Sequence, residues 1–347
     1  MKLLSTEFQL TGSREHGGLR LSYKRYRDPC SNHSSPNTTG IALLFMHGIG
    51  LHKETWEPVI ERIFQRQHEG GNRVNIVEAW AMDGQNHGYG ARLNEVALLG
   101  RTNALTAHNV ADGLRQLVQS GLITGKEIVA IGHSAGTTIT VLSTCGYALD
   151  QLPYRAVLLI EPATRTRAAM DKLKSQPNDP VQLITALAKT RKDTWTSREA
   201  AYEWFSRRVP WKMWDSRSLK LFVDNALLDL PTATYPDHAE GVTLAATRRE
   251  EVNGYRDNES GIEGLQRLSE LCSQSNLPIH CIFGSRRDVV SEETRAGILD
   301  ANEGRTVSSV TTIEGAGHFL PQELPNTTAD TIWRILETEL TKPESRL

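Results

Sequence analysis

Six short apolar runs punctuate the chain: IALLFMHG, VNIVEAWAM, EIVAIGH, YRAVLLIEP, PIHCIFG and VTTIEG. Runs this short and this uniformly apolar suit strands buried on both faces. Most are separated by helix-like stretches, and that alternation predicts a mostly parallel sheet with helices on both faces. WEPVIERIFQRQ, HNVADGLRQLVQSG, the stretch after Ser134 and TADTIWRILETEL carry apolar residues at helical spacing. In the last of these, Ile332, Ile335, Leu336 and Leu340 fall along one face. FQLTG and LRLSYKRY alternate as two opening strands, and the polar segment from Asp28 to Gly40 reads as a surface loop.

The rhythm breaks once. Between Glu161 and Leu277 the pattern predicts no strand, only helical segments such as VQLITALAKT, REAAYEWFSRRV and SLKLFVDNALLDL. The expected organisation is an α/β core over 1–161 and 277–347 with a helical lid inserted over 162–276. A length of 347 residues suits one α/β domain carrying such an insertion. Internal repeats and low-complexity segments are absent from the sequence.

Composition narrows the function classes. Hydrophobic residues at 39% and charged residues at 23% describe a globular chain able to bury a core. With 39 Lys+Arg against 41 Asp+Glu, no broad field attracts nucleic acid or an anionic membrane. No stretch reaches the length of a membrane span, and the N-terminus lacks the apolar core of a signal peptide. An intracellular chain is expected, with reduced thiols at Cys30, Cys145, Cys272 and Cys281 and unmodified sequons at Asn32, Asn37 and Asn326. The cysteines show no metal-ligand spacing. The closing tripeptide Ser345-Arg346-Leu347 is a conservative variant of the Ser-Lys-Leu address read by the peroxisomal import receptor, which makes the peroxisome the expected compartment.

The candidate chemistry centres on IVAIGHSAGTTIT. A strand turning sharply through Gly-x-Ser-x-Gly into a helix projects the serine hydroxyl above the sheet edge, and Gly132 and Gly136 leave room for the turn. Ser134 is the candidate nucleophile. At the helix N-terminus the backbone N–H of Ala135 can face a developing oxyanion. LLFMHGIG ends the first long buried strand, and Ile49 is the expected second donor, with His47 a structural loop residue.

A general base must reach the serine hydroxyl, and His318, in the glycine-flanked loop EGAGHFLP after the last strand, is the candidate among eleven histidines. His87, in AMDGQNHGYG, is the nearest rival and reads better as a structural residue. An orienting carboxylate should fall between serine and histidine in chain order. Glu161, closing AVLLIEP, and Asp288, in FGSRRDVV, both qualify. By loop position Asp288 is the usual choice, although Arg286 and Arg287 also offer it a salt bridge.

These residues, in this order, resemble the α/β-hydrolase superfamily over roughly Ile41 to Pro321. HGIGLHKETWEP, GHSAG, LLIEP, DTWTSREAA, LLDLPTATYPD and GAGHFLP together resemble a group of fungal peroxisomal serine hydrolases. That group includes an acyl-CoA hydrolase of mycophenolic acid biosynthesis, a yeast peroxisomal lipase and toxin-cluster hydrolases. The resemblance implies Ser134 as nucleophile, His318 as base and the acidic residue before Pro162 as third member. This chain departs from the group in having both Glu161 and Asp288.

The implied reaction is acyl transfer through an acyl-enzyme, which needs no metal or organic cofactor. Trp204, Trp211 and Trp214, with Trp195, Tyr202 and Phe205, predict an aromatic cover over an apolar chamber, in which each ring more readily glues lid helices together than touches substrate. Arg207, Arg208 and Lys212 interleave with them, either meeting coenzyme A phosphates or solvated as ordinary helix charges. The leading expectation is hydrolysis of an acyl-CoA thioester within a fungal secondary-metabolite or toxin pathway. The alternatives are a carboxylic-ester hydrolase or lipase acting on a small-molecule ester, and a non-catalytic binding protein that kept the fold. Epoxide-hydrolase and dehalogenase chemistry would need a carboxylate where Ser134 stands.

Overall fold

The computed structural model describes residues 3–14, 17–30, 40–70, 74–174 and 179–340. The closing Ser345, Arg346 and Leu347, together with Asn32 and Asn37, lie outside the described residues.

The strands in chain order are β1 (Leu4–Thr11), β2 (Arg20–Arg27), β3 (Ile41–Met46), β4 (Ile76–Asp83), β5 (Glu127–His133), β6 (Ala156–Ile160), β7 (Thr194–Trp195), β8 (Leu227–Asp229), β9 (Val242–Leu244), β10 (Ile279–Gly284) and β11 (Ser309–Ile313). Eight of them form one sheet in the order β1-β2-β4-β3-β5-β6-β10-β11. β1 and β2 pair antiparallel, β2 meets β4 antiparallel, and every pairing from β4 to β11 is parallel.

The uniformly apolar runs have a direct physical reason. All six residues of β3 are buried, and successive side chains enter opposite cores. Ala42, Leu44 and Met46 pack with Leu114 and Leu117 of the helix Ala107–Gln119, Ile139 of Ala135–Leu142 and Leu268 of Asn258–Gln274. Leu43 and Phe45 pack on the other side with Ile60 and Phe64 of Glu57–Gly70 and Ile332, Trp333 and Leu336 of Pro325–Leu340. Each fully buried large apolar side chain contributes about 1.5–3 kcal/mol, so both layers are held by many small terms. Ile332, Ile335 and Leu336 share the core face predicted for them, with Leu340 at its margin.

The segment between β6 and β10 departs from the expectation of helices alone. β7, β9 and β8 form a small antiparallel sheet, too short in every strand to leave a periodic signal. Around it stand the helices Pro180–Thr190, Arg198–Ser206, Ser216–Asn225 and Arg248–Tyr255. Asn258–Gln274 falls inside the range expected for the lid, yet its Leu265, Leu268 and Leu271 belong to the core beneath the main sheet. The cover is tied together by Arg248, which donates through Nε and Nη2 to the two oxygens of Asp193, at 2.6 Å each.

Candidate active site

β5 runs through the centre of the sheet into Ser134, whose backbone sits at φ 55°, ψ −124° before the helix Ala135–Leu142 begins. A non-glycine residue there is strained by about 1–3 kcal/mol and persists only where its surroundings hold it. The Ser134 N–H donates to the Ile160 carbonyl at 3.0 Å, and the Ser134 carbonyl accepts from the Thr137 N–H and hydroxyl. The two glycines are steric requirements. A Cβ on Gly132 would stand 2.4 Å from the Gly136 carbonyl oxygen, and one on Gly136 would stand 2.4 Å from that of Met46.

His318 enters from the loop after β11. Its Nε2 lies 2.8 Å from Ser134 Oγ and its Nδ1 lies 3.1 Å from Glu161 Oε2. A neutral imidazole so placed donates from Nδ1 to the carboxylate and accepts the serine hydroxyl at Nε2. Glu161 is fully buried at the end of β6 and also holds a positive φ, 48°. Its other oxygen, Oε1, accepts from the Gly284 N–H at 2.8 Å and from Arg295 Nη2 at 3.1 Å. A carboxylate in such a position would be costly without partners.

The alternative acid, Asp288, has a different position. Its Oδ1 accepts the main-chain N–H of His318 at 2.9 Å, and its Oδ2 lies 3.6 Å from Arg286. The carboxylate grips the loop that carries the histidine, while the ring itself faces Glu161. Arg286 in turn donates to both oxygens of Glu323, and Glu323 accepts the Gly317 N–H.

The loop after β3 passes so close to the elbow that a Cβ on Gly48 would meet Ser134 Cβ at 2.8 Å. His47 is buried, and that burial holds its pKa below the ordinary imidazole value. It accepts the Gly84 N–H at Nε2 (3.0 Å) and therefore donates from Nδ1 to the Gly48 carbonyl (2.7 Å). A trans peptide points its N–H opposite its C=O, so fixing the Gly48 carbonyl aims the Ile49 N–H the other way. His87 plays a parallel part: Nδ1 donates to Asn86 Oδ1, and Nε2 accepts the Gly50 N–H. Its ring lies 5.2 Å from that of His47, and burial keeps its pKa well below the ordinary value. His87 is thus a brace of this loop, and Ser134 has its imidazole from His318.

The aromatic residues of the cover pack mainly on one another. Trp195, Trp204, Phe205, Trp211, Trp214 and Phe222 form a cluster with centroid separations between 4.7 Å (Phe205 and Trp211) and 6.4 Å (Trp211 and Trp214). This is the cover's own core. Among these tryptophans it is Trp214 that reaches the loop of His318, through Phe319 at 5.5 Å. Among the basic residues, Arg208 stacks over Trp204 at 4.3 Å, Arg207 lies 3.6 Å from Glu203, and Lys212 is exposed.

Arg295 was the site residue least visible in the sequence. Nothing in SEETRAGI distinguishes it from a solvated helix arginine, yet it is 9% exposed and touches the Glu161 carboxylate. Its helix, Glu292–Ile298, follows the loop after β10.

Residues 43–331 match the alpha/beta hydrolase family. The type I acyl-CoA thioesterase mpaH of Penicillium roqueforti is 26% identical over 247 residues, covering 68% of this chain and 53% of that protein. The peroxisomal membrane protein LPX1 of Saccharomyces cerevisiae is 30% identical over 159 residues, covering 44% and 38%. The matched stretches thus span about half of the first relative and less of the second. Among solved structures, the peroxisomal alpha-beta-hydrolase Lpx1 from S. cerevisiae superposes with a TM-score of 0.76 at 19% identity, covering 99% of this chain and 92% of that one. The thioesterase domain from the curacin biosynthetic pathway superposes with a TM-score of 0.63 at 13% identity, covering 97% and 100%. At these identities the superpositions show a shared fold. The family match runs from β3 through the elbow, Glu161, the cover and His318, and on that ground the chain belongs to the alpha/beta hydrolase family of enzymes.

Proposed function

We propose that this protein is a serine hydrolase that cleaves an acyl-CoA thioester, with Ser134 as nucleophile, His318 as general base and Glu161 as the orienting acid. The observation that carries the reading is the unbroken line of contacts from Ser134 Oγ to His318 Nε2 (2.8 Å) and from His318 Nδ1 to Glu161 Oε2 (3.1 Å). In the first step His318 takes the Ser134 proton as Oγ bonds to the acyl carbon. The tetrahedral intermediate collapses, the carbon–sulfur bond breaks, and the imidazolium returns the proton to the thiolate. Water then attacks the acyl-enzyme with His318 again as base, releasing the acid and restoring the serine. The backbone N–H groups of Ile49 and Ala135 hold the oxyanion, each contributing about 3 kcal/mol.

The likeness to a thioesterase supports the choice of thioester, and the likeness to a peroxisomal protein supports the peroxisome as compartment. Ser345, Arg346 and Leu347 then serve as the sequence handed to the import receptor. A fluorescent protein bearing this tripeptide at its end, compared with one lacking it, tests the address by its cellular distribution. A fungal secondary-metabolite or toxin pathway is the setting that the resemblance favours.

The decisive experiment is free-thiol release from acyl-CoA esters by the intact protein and by Ser134→Ala, with p-nitrophenyl esters alongside. Thioester cleavage that vanishes in the variant supports the proposal. Cleavage of oxygen esters alone moves the function to a carboxylesterase or lipase. Failure of a fluorophosphonate to label Ser134 in folded protein leaves the non-catalytic binding protein as the reading.

A further inference from the structure

Beside the oxyanion loop lies a cavity of ≈ 60 Å³ whose lining includes both proposed oxyanion residues, Ile49 and Ala135. Ile139 stands one turn along from Ala135 on the same face of the helix Ala135–Leu142 and forms the floor. Leu105 and Val110 form the far wall. Leu105, Val110 and Ile139 keep 5%, 7% and 7% of their surface, against 1% for Leu114 and Leu142 in the adjoining core. All three line the cavity.

The polar groups on this lining are already engaged. His87 is held between Asn86 and the Gly50 N–H, and Asn86 donates to Glu250 at 3.0 Å. Asp257 accepts from the backbone N–H groups of Ala107 (2.7 Å) and Ser260 (3.4 Å). Its carboxylate also sets a negative charge at the cavity edge, which repels an anionic ligand. A larger cavity of ≈ 190 Å³ lies between the helix Gly88–Leu99 and the cover; Ser134, His318 and Glu161 line neither cavity, and only the smaller one is lined by Ile49 and Ala135, the residues on either side of the elbow.

We propose that the small cavity receives the acyl group, and that the enzyme selects short, uncharged acyl chains. This rests on the serine-hydrolase reading above and adds to it the side of the site on which the chain lies and the length it can have. A water-sized group needs roughly 10–15 Å³ of such space, so the cavity holds about four to six heavy atoms, the carbons of a butyryl to hexanoyl group whose carbonyl oxygen turns to the Ile49 and Ala135 amides.

The test is one acyl series from acetyl to palmitoyl, presented both as coenzyme A thioesters and as p-nitrophenyl esters. The intact protein is compared with Leu105→Ala and Val110→Ala, each checked for folding by circular dichroism. The expected kcat/KM peaks between butyryl and hexanoyl and is at least roughly tenfold lower at decanoyl. Either wall variant that folds moves the maximum toward longer chains. Activity that rises toward palmitoyl, or a maximum that the folded wall variants leave in place, overturns the proposal. A short-chain maximum seen only with oxygen esters upholds the cavity assignment and overturns the thioester reading. Inertness toward both series overturns both.

Discussion

Arg295 and His318 hold opposite oxygens of one carboxylate, with Arg295 Nη2 3.1 Å from Glu161 Oε1 and His318 Nδ1 3.1 Å from Glu161 Oε2. Arg295 also donates to the Gly284 carbonyl at 2.7 Å, so the guanidinium ties the end of β10 to the acid that ends β6. The plane of the carboxylate is thereby fixed from the side away from the histidine. Arg295→Met is expected to lower kcat roughly 10–100-fold with little change in KM, because a misaimed acid lets the imidazole turn. Arg295→Lys should recover part of the loss. Fluorophosphonate titration counts the folded active sites, and an unchanged kcat per titrated site would remove Arg295 from this role.

Glu161 and Asp288 predict unequal losses. Glu161→Gln cannot accept from His318 Nδ1–H as a charged partner and should reduce kcat by about 10⁴, the scale seen when a triad acid becomes an amide. Asp288→Asn keeps an oxygen for the His318 N–H and should cost no more than about tenfold, through one weakened hydrogen bond. Steady-state kinetics on the two variants decides the assignment, and the reverse ranking would transfer the acid role to Asp288.

The elbow predicts a gain in stability on losing the proposed nucleophile. Ser134 occupies φ 55°, ψ −124°, a conformation that glycine adopts at much lower cost. Ser134→Gly should abolish hydrolysis while raising stability by up to about 1–3 kcal/mol. Urea unfolding of the variant beside the intact protein measures this, and an unchanged or lower midpoint would contradict strain at the elbow.

Buried histidines predict an acid-sensitive fold. Burial lowers the pKa of His47, His87 and His133, and His133, with His318 nearby as a lesser cause, falls to about 3. Unfolded histidines take up a proton near pH 6.5, the folded ones only further down. The unfolded chain therefore binds more protons in that window. Their contribution is complete above pH ~6.5 and is lost as pH falls toward 3, by at most about 1.4 kcal/mol per pH unit for each histidine. Urea titrations at pH 7.5, 6 and 5 should show the midpoint falling, with a shallower fall in His133→Gln. A midpoint independent of pH in this range would rule the linkage out.

The main sheet was readable because parallel strands buried on both faces leave uniformly apolar runs, as in IALLFM and AVLLI. The meeting of Ser134 with His318 was readable for a related reason: each lies within a local glycine pattern at the end of a strand. The choice between Glu161 and Asp288 turns on which carboxylate faces a ring and which faces a main-chain N–H, and loop position in the sequence does not encode that difference. β7, at two residues, and β8 and β9, at three each, are too short for alternation to register. The cover tryptophans were legible as a cluster that glues the lid helices together, but their individual pairings were not, since composition gives the aromatic content without the partners. Arg295 depends on a contact 134 residues away in sequence, beyond any local pattern.

Trp214 stacks near Phe319, and Phe319 is the residue after His318, with ring centroids 5.5 Å and 5.3 Å apart along this chain. The aromatic cover and the histidine loop are therefore in direct contact. A cover that swung away as an independent flap would have to break the Trp214 contact with Phe319, one residue from His318. Heat that melts the cover is then expected to disturb His318 in the same transition, with tryptophan fluorescence and activity falling together.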